Sequence, residues 1–202
     1  LLPALFVPLS PSPLVSLPFH TPQSILQPST MTRAEALAKS LAALIRGDVE
    51  TAASIASSFH GGAGSLYENE SIAIVRFILE HDYTPDPAIK PEVLARLRIV
   101  AAAMELWGEV DIKDIADVSG SWKYKHSPEL GAQLLYKAGL EQHRLQRLRD
   151  MGSQEIEIRA NHTKDLCPAC KSDLGLSFPI HAAPFLPHPG CSCEYSCNCR
   201  YI

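Results

Sequence analysis

The sequence predicts a mainly α-helical domain followed by a small C-terminal module of irregular and β structure. Apolar residues recur at helical spacing through the middle of the chain, and this spacing gives way to alternation after Gly152. All six cysteines lie between Cys167 and Cys199. A chain of 202 residues suffices for one compact domain or for a small domain plus a module. We therefore expect a proline-rich leader over 1–30, a helical domain over 31–151 and a cysteine-rich module over 152–202.

The composition argues against two classes of protein. Hydrophobic residues make up 46% of the chain and charged residues 20%, as in average globular proteins, so wholesale disorder is excluded. The net charge of −4 argues against nucleic-acid binding across the whole surface. No stretch reaches the roughly 18 continuous apolar residues that a membrane span needs, so we expect no membrane association.

The first thirty residues differ sharply from the rest. Leu1–Thr32 contains no charged residue but seven prolines, which remove backbone donors and prevent regular helices or central strands. The basic start of a secretory signal is missing, and prolines interrupt every apolar run. We expect a poorly structured leader, or an upstream translated stretch, that contributes little to the fold. The absence of an export signal leads us to expect a cytoplasmic protein.

Capping signals predict where the helices begin. Thr32 and Glu35 have the spacing of a capping box, Pro91 suits a first turn, and Ser127 precedes Pro128 as an N-cap residue precedes N1. Gly47 and Gly152 are typical stop signals. The predicted helices cover about 32–46, 49–59, a run from about 72 to 81, 91–106 and 128–151, and residues 108–126 are interpreted as a loop or short helical turn.

The helical domain carries no recognisable chemistry. On the long fifth helix, Glu141 and the arginines that follow it are interpreted as a solvated face with local ion pairs. A nucleic-acid contact through these arginines and Lys137 is the weaker alternative. Four histidines lack metal-ligand spacing and are interpreted as ordinary surface or core residues: His60, His81, His126 and His143. The helical part is therefore expected to be a scaffold.

The chemistry-bearing pattern lies in the C-terminal module. Glu155–Arg159 alternates in the manner of a short strand, and a C-x2-C turn follows at Cys167 and Cys170. Such a turn places two thiolates at about the edge length of a tetrahedral zinc site. A loop rich in Pro and Gly can hardly bury enough surface to fold alone, so a metal clip would stabilise it. We predict about one Zn²⁺ per chain with ligands drawn from Cys167, Cys170, His188, Cys191 and Cys193. Which of Cys191, Cys193, Cys197 and Cys199 complete the site stays open, as does the number of metals.

Several alternatives compete with a structural zinc. Disulfides would need an oxidising compartment, and close C-x-C pairs make poor partners. A thiol redox protein using Cys167 and Cys170 would need the motif at a helix N-terminus, and Lys171–Gly175 does not predict a helix. A zinc-dependent hydrolase would need a general base, which only Asp165, Asp173 or Glu194 could supply. The few basic residues that flank the cysteines argue against nucleic-acid binding: Lys164, Lys171 and Arg200.

The stretch from Asp165 to Cys193 resembles the C-terminal motif of the Mu-F-like head morphogenesis (minor capsid) proteins of tailed phages and prophages. The resemblance rests on a long helix, a strand near Ile156 and a motif read as Asp165, Cys167, Cys170, Gly175, Pro187, His188, Pro189, Cys191 and Cys193. This chain has Ser192 where the family most often has Arg, and it continues to Cys197 and Cys199. The resemblance implies a role in protein assembly or interaction, for which we expect a protein partner or a homo-oligomer. A shell of four Cys and His ligands leaves no open position, which argues against catalysis.

Overall fold

The helices begin and end close to the residues that the capping signals predict. A computed structural model describes residues 31–61, 66–108, 110, 127–161, 166–193 and 197–202. The expectations for residues 1–30 and for most of 108–126 lie outside these ranges. The helices are α1 (Arg33–Ile45), α2 (Val49–Phe59), α3 (Leu66–Glu80), α4 (Pro91–Trp107) and α5 (Pro128–Asp150). None of the helices in the described ranges has the length and apolarity of a bilayer span.

Side-chain caps account for three of these helix starts, at Thr32, Asp48 and Ser127. The Thr32 hydroxyl accepts from the Glu35 N–H, and the Glu35 carboxylate accepts from the Thr32 N–H at 2.8 Å. The Ser127 hydroxyl accepts from the Leu130 N–H at 3.2 Å, and Pro128 occupies the first turn. Each cap satisfies a backbone donor that the helix itself leaves unpaired. The prediction of a mainly α-helical fold is confirmed.

Helices α1 to α4 and the first half of α5 share one hydrophobic core. Small side chains allow close approach between α1 and α2, where Ala43 and Ala52 are fully buried. A buried hydroxyl links three helices: Ser40 donates to the Ala52 carbonyl at 3.1 Å and accepts from the Trp107 indole N–H at 3.0 Å. Because these polar groups satisfy one another, their burial carries little penalty.

Helices α3 and α5 touch at Gly139, and this contact gives a testable prediction. A Cβ on Gly139 would lie 2.7 Å from Ile78 Cγ1 and 3.1 Å from Ile74 Cγ2. Gly139→Ala should destabilise the protein by about 1 kcal/mol net in urea unfolding, because overpacking outweighs the better helix propensity of Ala. Ile78→Ala opens space at the same contact, so the double variant should be less destabilised than the two single effects together. Strict additivity would contradict the proposed contact.

The chain after α5 forms a small sheet with short helical turns. The strands β1 (Glu155–Ala160), β2 (Ser177–Pro179) and β3 (Cys199–Tyr201) lie in the order β2-β1-β3, and both pairings are antiparallel. The strand predicted at Glu155–Arg159 is confirmed. A short helix, α6 (Pro168–Asp173), follows Cys167 directly, so the expectation that Lys171–Gly175 is not helical was wrong for its first three residues. Pro168 favours that helix because its fixed φ suits a first turn.

A second hydrophobic cluster packs this sheet against α5. Leu134 and Leu145 of α5 contact a group of buried residues that includes Ile156, Ile158 and Tyr201. Met31–Ile202 forms one compact unit, within which α5 contributes to both clusters. The boundary at residue 151 stays a prediction.

Two further contacts attach the C-terminal residues to the helices. Glu141 on α5 is only 1% exposed, and its carboxylate accepts from Lys137 at 2.8 Å, Arg144 at 3.1 Å and the Tyr201 backbone N–H at 3.0 Å. The interpretation of Glu141 as part of a solvated face was therefore wrong. The ring of Phe185 stacks on Tyr83, with centroids 5.0 Å apart. The sheet and its loops are thus fixed to α5 and to the chain after α3.

Candidate metal centre

Local structure brings all six cysteines to one buried region beneath the sheet. Cys167 is the N-cap residue of α6, and Cys170 follows inside that helix. Cys199 begins β3, where it pairs with Ala160 of β1. The cysteines in the intervening loops complete the cluster, and no member is more than 6% exposed: Cys167, Cys170, Cys191, Cys193, Cys197 and Cys199. None of these described cysteines forms a disulfide.

The sulfur atoms fall into two sets that share one member. In the first set, the Sγ atoms of Cys167, Cys170, Cys191 and Cys193 all lie within 4.8 Å of one another. Cys191 Sγ is 3.9 Å from Cys167 Sγ and 3.8 Å from Cys170 Sγ, and Cys193 Sγ is 3.7 Å from Cys170 Sγ. A Zn–S bond of about 2.3 Å in a tetrahedron gives an S–S edge of about 3.8 Å. This set therefore has the dimensions of a tetrahedral thiolate site and could hold a metal ion.

The second set consists of Cys170, Cys197 and Cys199, again with all Sγ atoms within 4.8 Å. Cys170 Sγ lies 3.7 Å from Cys197 Sγ. Cys170 thus belongs to both sets and is 0% exposed. The sequence pattern drew attention to Cys197 and Cys199 but did not assign them, because their proximity to Cys170 depends on the pairing of β3 with β1.

Backbone donors point at the sulfurs of the first set. The Cys167 N–H donates to Cys193 Sγ at 3.4 Å. Burial raises the pKa of Cys167, but hydrogen bonds from the backbone N–H groups of Ser192 and Cys170 outweigh burial, so the pKa of Cys167 is lowered. These donors would stabilise a thiolate whether or not a metal is bound, and such contacts orient metal-bound thiolates.

Hydrogen bonds within the cluster separate the acidities of the thiols. Donation from Cys170 and Cys197 lowers the pKa of Cys199 to about 4. Donation to Cys191, Cys197 and Cys199 raises the pKa of Cys170, and burial raises the pKa of Cys193 to about 12. Without a cation, the negative charge of each new thiolate therefore repels the charge that the next deprotonation would create. A bound divalent cation removes this repulsion and favours the fully deprotonated cluster.

His188 is close to the cysteines in sequence but belongs to neither sulfur set. The side chain is 8% exposed, and its Nε2 lies 3.6 Å from Asp173 Oδ2 with no hydrogen-bond partner in the part of the chain that the structure describes. The His188 carbonyl accepts from the Cys191 N–H at 2.9 Å, a contact that shapes the turn leading to Cys191. The structure thus groups four of the five predicted ligands, and His188 as a ligand stays a prediction.

The competing chemistries find less support in this arrangement. Of the three carboxylates considered as a general base, Asp173 faces His188, whereas Asp165 and Glu194 lie outside the described residues. Cys167 does occupy a helix N-terminus, as a redox motif requires, but both thiols of the Cys-Pro-Ala-Cys motif are buried. Reactive redox thiolates need solvent access, which these two side chains do not have.

Comparisons with protein-family models, with curated proteins and with solved structures give no significant match for this chain. The cysteine cluster and its surroundings are therefore the features of this chain that indicate a function.

Proposed function

We propose that this chain is a structural zinc protein in which Zn²⁺ bound by the cysteine cluster holds the C-terminal module on α5. The observation that carries this proposal is that three S–S separations among the four cysteines of the first set are 3.7–3.9 Å, with every pair within 4.8 Å. These values match the edge of a zinc–thiolate tetrahedron. Four thiolates close the coordination shell, which is typical of structural rather than catalytic zinc sites.

The position of the cluster supports a stapling role. Cys170 lies on α6 and Cys193 in the loop before β3, so a common metal joins segments that are separated along the chain. The elements around it are short: β2 and β3 contain three residues each and α6 contains six. Elements of this length are not stable alone, and metal binding would supply the missing folding free energy.

Metal removal gives a prediction that tests this role. A high-affinity zinc chelator should lower the melting temperature of the full chain and make the buried thiols reactive towards a colorimetric thiol reagent. Added Zn²⁺ should reverse both effects, since binding free energy here is folding free energy. The same chelator saturated with zinc beforehand is the control. Unchanged melting and unchanged thiol reactivity after chelation would contradict a metal staple.

We also propose that the zinc-stapled protein acts in protein assembly or interaction, in the manner of phage head morphogenesis proteins. The motif from Cys167 to Cys193, with Pro187, His188 and Pro189 before the last pair, supports this assignment. If the assembly partner is a second copy of this chain, light scattering during size-exclusion chromatography will show it. We expect a mass that is a multiple of 22.1 kDa in the zinc-loaded state. A monomer at every concentration would contradict self-assembly.

A further inference from the structure

We infer that the six cysteines hold two metal ions, with the Cys170 thiolate bridging them. This inference rests on the proposed zinc function and extends it from one metal to a two-metal cluster. The first metal occupies the set of Cys167, Cys170, Cys191 and Cys193, and the second binds Cys170, Cys197 and Cys199.

The position of Cys170 carries the bridging role. Its Sγ lies 3.8 Å from Cys191 Sγ and 3.7 Å from Cys193 Sγ on one side, and 3.7 Å from Cys197 Sγ on the other. All three separations equal a tetrahedral edge of about 3.8 Å for a metal with bonds of about 2.3 Å to sulfur. Cys170 Sγ is therefore placed as a corner common to two tetrahedra. Both metals can be four-coordinate in this arrangement when the Cys170 thiolate binds the two of them.

The burial of the remaining sulfurs supports a second metal. One tetrahedral ion uses four ligands, which would leave Cys197 and Cys199 beside it at 2% and 0% exposure. The Sγ atoms of Cys170, Cys197 and Cys199 all lie within 4.8 Å of one another, so the sulfurs of Cys197 and Cys199 are already grouped with that of Cys170 as a second metal would require.

The second set is held in place by secondary structure. Cys199 pairs with Ala160 at the edge of the sheet, and two residues later the Tyr201 N–H donates to the buried carboxylate of Glu141 at 3.0 Å. The Tyr201 hydroxyl donates to the Pro184 carbonyl at 2.6 Å and accepts from the Leu186 N–H at 3.1 Å. These contacts fix β3, so Cys199 lies at its ligand position without rearrangement of the strand. The fourth position of the second metal is left to a ligand outside the three cysteines.

Native mass spectrometry of the full chain, purified with reductant and Zn²⁺, tests the number of metals. We expect two zinc ions in the wild type and one in the double variant Cys197→Ser/Cys199→Ser. The matched control, Asn198→Ser, changes the residue between these cysteines and should retain two. One zinc in the wild type would overturn the two-metal cluster and leave the zinc staple standing. A metal-free wild type would overturn both.

Co²⁺ substitution tests the bridge itself. A shared thiolate couples the spins of two Co²⁺ ions, so the electron paramagnetic resonance signal per bound ion should fall as the second ion binds. Full signal from both ions would show two independent sites and overturn the bridge. If the double serine variant fails to fold, the wild-type stoichiometry and the Co²⁺ titration decide the question on their own.

Discussion

Cys170→Ser should release the bound metal and unfold the C-terminal module. Cys170 is fully buried, its sulfur lies within 3.8 Å of three other thiols, and it is the one member common to both sulfur sets, so its loss removes a ligand from each. Structural zinc contributes on the order of 10 kcal/mol to the folding of small modules. Limited proteolysis should therefore cut the variant after about Met151. The circular dichroism of α1 to α4 should persist, because the core that they share with α5 contains none of the cysteines.

Two comparisons make this result specific to the metal. Lys171→Ala changes the exposed neighbour on the same helix and should leave proteolysis and metal content unchanged. Added Zn²⁺ should protect chelated wild type but not Cys170→Ser. A serine variant that resists protease as well as the wild type does would contradict the staple.

Glu141→Ala should have the second largest effect on stability. The substitution removes the carboxylate that pairs with Lys137 and Arg144 and leaves the buried Tyr201 N–H without its acceptor. Leaving the buried Tyr201 N–H without its acceptor costs about 1–3 kcal/mol, and the lost pairing with the partly exposed Lys137 and Arg144 adds to this. Denaturant unfolding followed by circular dichroism measures this loss. The thiol of Cys199 should also become more reactive, because Tyr201 no longer fixes β3.

A surface ion pair on the same helix supplies the control. Arg147 is 60% exposed and pairs with Glu70 at 3.2 Å, so Arg147→Ala should cost less than about 1 kcal/mol. Glu141→Gln keeps an acceptor for the Tyr201 N–H, so its loss of stability should lie between the losses for Arg147→Ala and Glu141→Ala. An alanine variant at Glu141 no more damaging than Arg147→Ala would show that this buried network adds little to stability.

The sequence predicts the helices well because their boundaries are local. The Thr32 and Ser127 side chains accept from backbone N–H groups three residues further along the chain. Prolines in the first turn mark the starts of α4 and α5. The strand β1 is likewise visible as alternation. In these segments, the residues that determine the conformation are sequence neighbours.

Long-range contacts explain where the sequence misleads. Glu141 has charged neighbours at i−4 and i+3, which favours a surface interpretation, but its third partner is the backbone of Tyr201, 60 residues away. Its spacing from Ala138 and Leu145, both buried, was a signal of burial. The grouping of Cys197 and Cys199 with Cys170 depends in the same way on the β1–β3 pairing.

X-ray absorption at the zinc edge, on full chain purified under reducing conditions, tests the central claim most directly. Thiolate coordination predicts a strong zinc signal with a first shell dominated by sulfur at about 2.3 Å. A sample with only trace zinc, or a first shell of oxygen and nitrogen, would contradict a zinc staple built from these cysteines.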